Sequence, residues 1–294
     1  MSAGDYIPEP KCRTEQKAKK QLNRDTQSFG VGHPQQIHYR NSVFRPCIDL
    51  HEGKVKQIVG GSLTDDPGHL QTNFTSDHSS AWFAQKYRED DLKGGHVIQL
   101  GRGNENAARK ALGAFPGGLQ LGGDVNLDNA HAWLDAGASH VIVTSWVFRE
   151  GILDKERLNR LEKSIGKERL ILDLSCRQKN GEYWIVTDRW KNFTELNITH
   201  ETLDHLSSHC TEFLVHAVDV EGKQAGIDLE LIEILANGSP IPCTYAGGAK
   251  SLGDLESVHQ RGNGRIHLTI GSALDIFGGS IPYADCVAFN QRIA

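Results

Sequence analysis

The run Arg45-Pro46-Cys47-Ile48-Asp49-Leu50 sets one carboxylate into a short apolar stretch. Leu170-Ile171-Leu172-Asp173-Leu174 does the same 124 residues later, from position 49 to position 173. Two further marks recur at nearly that spacing. Gly122-Gly123 follows Gly118-Leu119-Gln120-Leu121, and Gly247-Gly248 follows Cys243-Thr244-Tyr245-Ala246, an interval of 125 from 122 to 247. Ser145 closes His140-Val141-Ile142-Val143-Thr144, and Ser272 closes His267-Leu268-Thr269-Ile270-Gly271, 127 residues on. Three unrelated marks at one offset predict a duplicated half-domain, each half carrying one acid and one Gly-rich turn.

Outward from these marks, short apolar runs alternate with helical patterns. Strands are expected near 44–49, 96–100, 118–122, 140–145, 169–173, 213–217, 242–246 and 266–271. Helices are expected near 78–90, 105–115, 127–137, 154–165, 200–209, 228–237, 251–261 and 282–291. Several strand runs are continuously apolar, as parallel strands covered on both faces are. Asp77 or Ser79, Asn126, Asp228 and Ser251 stand where helices start, and Gly137, Gly238 and Gly262 where they stop. Eight strands alternating with eight helices fit a (β/α)8 TIM barrel, or an open doubly wound sheet. The duplication favours the barrel built from two half-barrels, because a four-strand half repeated once closes naturally. All six marks then fall at C-terminal strand ends, the face on which barrel active sites are built. The stretches 51–77 and 174–199 are longer than ordinary connections and are expected to act as lids.

The 294 residues carry 32 basic against 37 acidic side chains, a net charge of −5, which gives no concentrated basic face for nucleic acid. No apolar run approaches the roughly 18 residues of a membrane span. The cysteines Cys12, Cys47, Cys176, Cys210, Cys243 and Cys286 lack any Cys-x-x-Cys pairing, so neither a disulfide framework nor a zinc site is expected. Residues 1–43 form a basic, polar extension, expected to be disordered and separate from a barrel domain over 44–294. A cytoplasmic location is expected. A plastid is the alternative if the extension is a transit segment, a reading that Asp5, Glu9, Glu15 and Asp25 weaken.

A strand leading through Gly-Gly to backbone N–H groups makes an anion site, since no Cβ shields the amides. Gly122, Gly123, Thr144 and Ser145 are expected to hold one phosphate, and Gly247, Gly248, Gly271 and Ser272 another. Asp49 and Asp173, matched acids in apolar strands, are candidates for divided acid and base duty. No metal and no cofactor is expected. The fourteen histidines lack ligand spacing, and His96, His140, His216 and His267 read as satisfied strand-end polar groups. Trp82, Trp133 and Trp184 read as packing residues.

The strings Phe44-Arg45-Pro46-Cys47-Ile48-Asp49-Leu50-His51-Glu52-Gly53-Lys54-Val55, Val215-His216-Ala217-Val218-Asp219-Val220-Glu221-Gly222, Tyr245-Ala246-Gly247-Gly248 and Gly271-Ser272-Ala273-Leu274-Asp275-Ile276-Phe277 resemble one family. It is the phosphoribosylformimino-5-aminoimidazole carboxamide ribotide isomerases of histidine biosynthesis, in their plant and fungal branch. The resemblance covers about residues 43–290. It implies a barrel that performs an Amadori rearrangement of a bis-phosphorylated aminoaldose (ProFAR) to the aminoketose (PRFAR), with no cofactor. By the same resemblance Asp49 matches the general base, Asp173 the general acid and Trp190 an aromatic that stacks on substrate. The chain departs from bacterial members at Ala217, where they carry threonine, and at Gln99, where they carry aspartate. It also departs from the usual triple-glycine turn at Asp124. The related cyclase of the same pathway and a non-catalytic phosphosugar-binding barrel are the alternatives. A monomer is expected.

Overall fold

The computed structural model describes residues 43–59 and 71–293, together with Met1. The extension expected over 1–43, apart from Met1 and Val43, lies outside the described residues, and so does Cys12.

Eight parallel strand segments carry the architecture: β1 (Phe44–Arg45 and Cys47–His51, on either side of Pro46), β2 (Gly95–Gln99), β3 (Leu119–Gly122), β4 (Val141–Val143), β5 (Leu170–Asp173), β6 (Glu212–His216), β7 (Cys243–Ala246) and β8 (Ile266–Thr269). Each pairs in parallel with the next, from Cys47↔His96 between β1 and β2 to Cys243↔Ile266 between β7 and β8. Phe44 and Arg45 then pair with Leu268 and Thr269 of β8. Because Cys47–Leu50 pair with β2, the sheet curls round and returns to its own first strand. Pro46, which has no N–H to give, marks the change of partner.

Eight helices alternate with these strands: α1 (Ser80–Glu89), α2 (Glu105–Ala114), α3 (Ala130–Asp135), α4 (Lys155–Ile165), α5 (His200–Ser207), α6 (Leu229–Gly238), α7 (Leu252–Arg261) and α8 (Tyr283–Ile293). The expected caps act at three of the four starts. Ser79 and Asp228 accept the N–H groups of Trp82 and Leu231, and Ser251 forms a reciprocal capping box with Asp254. At the fourth, Asn126 makes an Asx turn to the Asp128 N–H instead, and α3 begins after Asn129. Gly238 is the last residue of α6, with Ser239 as its cap.

Strand alternation sorts the side chains. Outward residues such as Ile48, Leu50, Leu119, Leu121, Phe213 and Val215 join the helix faces (Phe83, Leu112, Leu158, Leu231, Leu255) in the main core. Each such burial is worth about 1.5–3 kcal/mol against solvent. Inward residues form three levels. Arg45, Gln120, Glu212 and Thr244 join in a hydrogen-bonded charged layer at the N-terminal end. Ile98, Ile142, Ile171 and Leu214 make a small apolar plug above it. Asp173 and His216 follow two residues further along their strands, and Asp49 is in register with Ile98 of the neighbouring strand.

The described parts of the two long connections form antiparallel β structure. Lys54–Ile58 pairs antiparallel with β1 and with Thr72–Thr75, which extends the sheet by two strands. Residues 60–70 of the first expected lid lie outside the described residues. The second expected lid folds as a three-stranded antiparallel sheet of Cys176–Lys179, Glu182–Thr187 and Asn192–Asn197. Its β character was legible in Glu182-Tyr183-Trp184-Ile185-Val186-Thr187, where aromatic and β-branched residues dominate. Among the described residues no helix is long and apolar enough to cross a membrane. The five described cysteines are all free and buried.

Candidate functional site

All eleven residues singled out from the sequence (Asp49, Gly122, Gly123, Thr144, Ser145, Asp173, Trp190, Gly247, Gly248, Gly271 and Ser272) line one cavity of about 880 Å³ at the C-terminal ends of the strands. In a ring of eight strands, elements four places apart face each other. Asp49 on β1 therefore opposes Asp173 on β5, and the turn after β3 opposes the turn after β7. The sequence offsets become diametric pairs.

The glycine turns are built for close approach. Gly123 has φ +92°, and a Cβ there would lie 2.2 Å from the Gln99 carbonyl oxygen. Gly248 has φ +78°, and a Cβ there would lie 2.2 Å from the Gly226 carbonyl oxygen. No other residue fits either place. Between the two turns the site is asymmetric. Asp124 is an exposed non-glycine residue at φ +56°, whose carbonyl accepts 2.9 Å from Asn129 Nδ2. Arg102 lines the cavity, but it makes no ion pair with Asp124 among the described residues.

Asp49 Oδ2 accepts from Gln57 Nε2 at 3.0 Å, and the Cys47 thiol lies 3.7 Å away. Gln57 comes from the antiparallel strand that folds back over β1. Burial, followed by the neighbouring Glu221 carboxylate, pushes Asp49 up to about 7, against the opposing pull of His216 and its hydrogen bonds. Glu221 is itself raised by burial, and its Oε2 is buried without a hydrogen-bond partner.

Asp173 is in a different environment. Its Oδ1 accepts from the Ser175 backbone N–H at 2.8 Å and the Ser175 hydroxyl at 2.7 Å, and lies 3.5 Å from His216 Nδ1. Burial works to raise this carboxyl, but the His216 cation and the Ser175 donors outweigh it and hold it below its ordinary value. Burial likewise opposes charge on His216, yet Asp173, then Glu221 and Asp49, lift it to about 9. The two acids thus sit in environments that push their proton affinities apart.

Trp190 stands at the turn between the last two strands of the lid sheet. Asp188, Arg189 and Trp190 all have positive φ (52°, 58° and 64°), and the Trp190 ring lies 6.0 Å from that of His216, tilted by 42°. Ser145, expected to meet phosphate, accepts the Asp188 N–H at 3.1 Å and so ties the lid turn to the rim.

Sequence reading missed several members of the cavity. Gln57, Glu221 and His216 are brought in by folding, and Glu221 stands in the sequence reading only within the Val215–Gly222 string that carries the family resemblance. His96 is a correction. It is 2% exposed, its Nδ1 has no partner, and burial together with the His216 charge lowers it to about 3, so it is not a satisfied polar group. His267 does accept a hydrogen bond, from the Val43 N–H at 3.2 Å. Cys47, Asp49 and His96 bring one donor atom each within 4.8 Å of one another, a juxtaposition across two strands that no sequence spacing reveals. Trp133 packs at 5% exposure, but Trp82 is 40% exposed and stacked on His78.

A curled parallel sheet that returns to its own first strand, with helices alternating between strands and the acids and glycine turns on its C-terminal face, defines a (β/α)8 barrel. The sequence pattern of the histidine biosynthesis protein family matches residues 44–281, and the chain belongs to that family. It is 52% identical over 255 residues to a Medicago truncatula protein, covering 85% of this chain and 82% of the relative. That protein is named 1-(5-phosphoribosyl)-5-((5-phosphoribosylamino)methylideneamino)imidazole-4-carboxamide isomerase, chloroplastic. Isomerases of the same name from Yarrowia lipolytica and Saccharomyces cerevisiae are 48% and 45% identical, each over 85% of this chain and 98% of the relative.

Proposed function

We infer that this chain is the isomerase of histidine biosynthesis that converts a bis-phosphorylated aminoaldose to its aminoketose. The observation that carries this reading is the cavity itself, with acids opposed across β1 and β5 and anion-accepting turns opposed across β3 and β7. A substrate with a phosphate at each end spans the cavity and leaves its reacting carbons between the acids, so that binding energy supplies orientation. Asp173 protonates the ribose ring oxygen and opens the ring to a Schiff base. Asp49 takes the C2′ proton to give an enolamine, which tautomerises to the ketose. The 124- to 127-residue offsets support an origin of the barrel from two like halves. The working unit is a cytoplasmic monomer, with plastid import as the alternative location.

The test is a coupled absorbance assay of the purified chain on the isomerase substrate. Turnover that converts the aminoaldose fully to the aminoketose is the expected result. Binding without turnover would return the chain to a phosphosugar-binding role. Trp190 is expected to move onto the bound substrate. Adding a bis-phosphate analogue should change the intrinsic fluorescence, and Trp190→Ala should lose most of that change. An unaltered signal with saturable binding by calorimetry would mean that the lid does not respond to ligand.

Asp124 adds a charge and a strained backbone to the first phosphate turn. A carboxylate about 5 Å from a phosphate costs roughly 1–3 kcal/mol, between the aqueous and partly buried limits. The left-handed conformation costs a non-glycine residue about 1–2 kcal/mol more in fold stability. Asp124→Gly is therefore expected to tighten binding of a bis-phosphate ligand by about 5- to 100-fold at low salt, with the gain shrinking as salt is raised. Unchanged or weaker binding in a salt series would assign Asp124 a structural role instead.

A further inference from the structure

The two oxygens of Asp49 are not equivalent. Oδ2 accepts from Gln57 Nε2 at 3.0 Å and faces the Cys47 thiol at 3.7 Å. The same Gln57 nitrogen lies 3.8 Å from Cys47 Sγ, so the three side chains close a small polar triangle. An ionised carboxylate only accepts, which requires Gln57 to present its amide nitrogen here. Oδ1 takes no hydrogen bond among the described residues and is open to the cavity that Asp49 lines.

Gln57 is itself held in place. It is 4% exposed and rides on Lys54–Ile58, the strand that doubles back onto β1. On its far side stands Gly271, just after β8. A Cβ on Gly271 would lie 2.4 Å from Gln57 Oε1 and 3.2 Å from Cys47 Sγ. The Gly271 backbone is not left-handed, unlike that of Gly123 and Gly248. Its conformation would admit a side chain, and the space taken by Gln57 does not.

We propose that Gln57 is the positioning residue for the general base: its amide occupies Oδ2, so that Oδ1 alone takes the C2′ proton, and Gly271 is glycine to leave room for that amide. This rests on the isomerase reading above. Oδ1 takes the C2′ proton, the C–H pair forms the C1′=C2′ bond, and the C=N pair returns to the exocyclic nitrogen. Gln57 gains and loses no proton. Its contribution is orientation, because a reacting group misplaced by about 1 Å loses on the order of 10²-fold in rate. The titratable groups facing Asp49 are Cys47 on its own strand, His96 on β2, His216 at the end of β6 and Glu221 beyond it. Of these only the weak Cys47 thiol donates to it among the described residues. Gln57 is therefore the one strong donor that Asp49 has there.

The experiment removes that donor and keeps the shape. Gln57→Met has a side chain of similar length with no N–H. Carbon-13 NMR of the Asp49 carboxyl in the intact, substrate-free chain should show its titration midpoint rising by about 0.5–1 pH unit, since a donor favours the charged form. In turnover, kcat should fall by about 10- to 100-fold with KM within a few-fold, and the acid limb of the kcat profile should move up with the midpoint. A role in folding alone would lower the melting temperature and leave that limb in place. Gly271→Ala should produce the same shift, and adding it to Gln57→Met should deepen neither the shift nor the loss of kcat. A Gly271→Ala defect confined to KM would assign that glycine to the phosphate instead and overturn its part in the proposal. An unmoved Asp49 midpoint in Gln57→Met, or a kcat within two-fold of wild type, would overturn the role of Gln57. Should the wild-type chain fail to isomerise the substrate, the functional reading falls, while the NMR titration still decides whether Gln57 governs Asp49.

Discussion

Asp49→Asn is expected to lower kcat by roughly 10²- to 10⁴-fold, the usual contribution of a positioned general base. The loss of activity should be separable from folding. An aspartate buried to a proton affinity near 7 is deprotonated at the expense of native stability. The folded state binds more protons than the unfolded chain between about pH 4 and pH 7, so its stability falls as pH rises through that window. The neutral amide removes this dependence. Asp49→Asn should therefore melt at a higher temperature than wild type at pH 8 and converge with it near pH 4. Asp173→Asn should differ in sign. Its carboxyl is held below the ordinary value, so it contributes stability that is present at neutral pH and lost on acidification. This variant should lose activity and melt lower at pH 7. Thermal melts and kcat–pH profiles of the two variants check both signs. Wild-type activity should itself fall below about pH 7, as Asp49 takes up its proton. An Asp49→Asn enzyme with near-normal turnover would end the assignment.

Much of this was legible in the chain because it is encoded locally. Each of the eight parallel strands and eight helices falls within a few residues of its expected place, since apolar runs, caps and glycine stops are short-range signals. The cavity residues were legible for another reason. Each mark recurs in the sequence at an offset of 124 to 127 residues, and a ring of eight turns that offset into an opposed pair.

What stayed hidden depends on folding across distance. His216 looked like one of four equivalent strand histidines. Only the structure sets it against Asp173 and Ser175, whereas His96 is left unpartnered and uncharged. Gln57 reaches Asp49 because the Lys54–Ile58 strand doubles back onto β1, which no periodicity states. The internal structure of 174–199 was not read from its length. Its Gly, Asn and charged residues mark hairpin turns, with Asn180 at φ +56° and Gly181 at φ +82°, rather than an unstructured flap.

The base of the barrel is the clearest case of such distance. Arg45 Nη1 lies 2.5 Å from Glu212 Oε1 and 2.9 Å from Thr244 Oγ1, while Thr244 Oγ1 and Gln120 Nε2 also reach the Glu212 carboxylate. The pair is separated by 167 residues, and the two side chains are 13% and 9% exposed. Burial alone would raise Glu212, and the Arg45 guanidinium instead holds it below its ordinary value. Arg45→Met removes the cation and strands a buried carboxylate, so it is expected to cost about 3–5 kcal/mol. Part of that loss should return on mild acidification, as Glu212 protonates. Adding Glu212→Met removes the stranded charge, and the double variant should recover most of the stability. The intact pair lowers the cost of its own burial without making a large net gain. Urea melts of the two single variants and the double variant close the cycle. If the double variant is as unstable as Arg45→Met, the destabilisation comes from lost packing of the arginine stem. The guanidinium itself packs against Gly94, where a Cβ would lie 2.9 Å from Arg45 Cζ. A recovered double variant would mean that the barrel base needs charge balance, and that the ion pair marks which partners belong together.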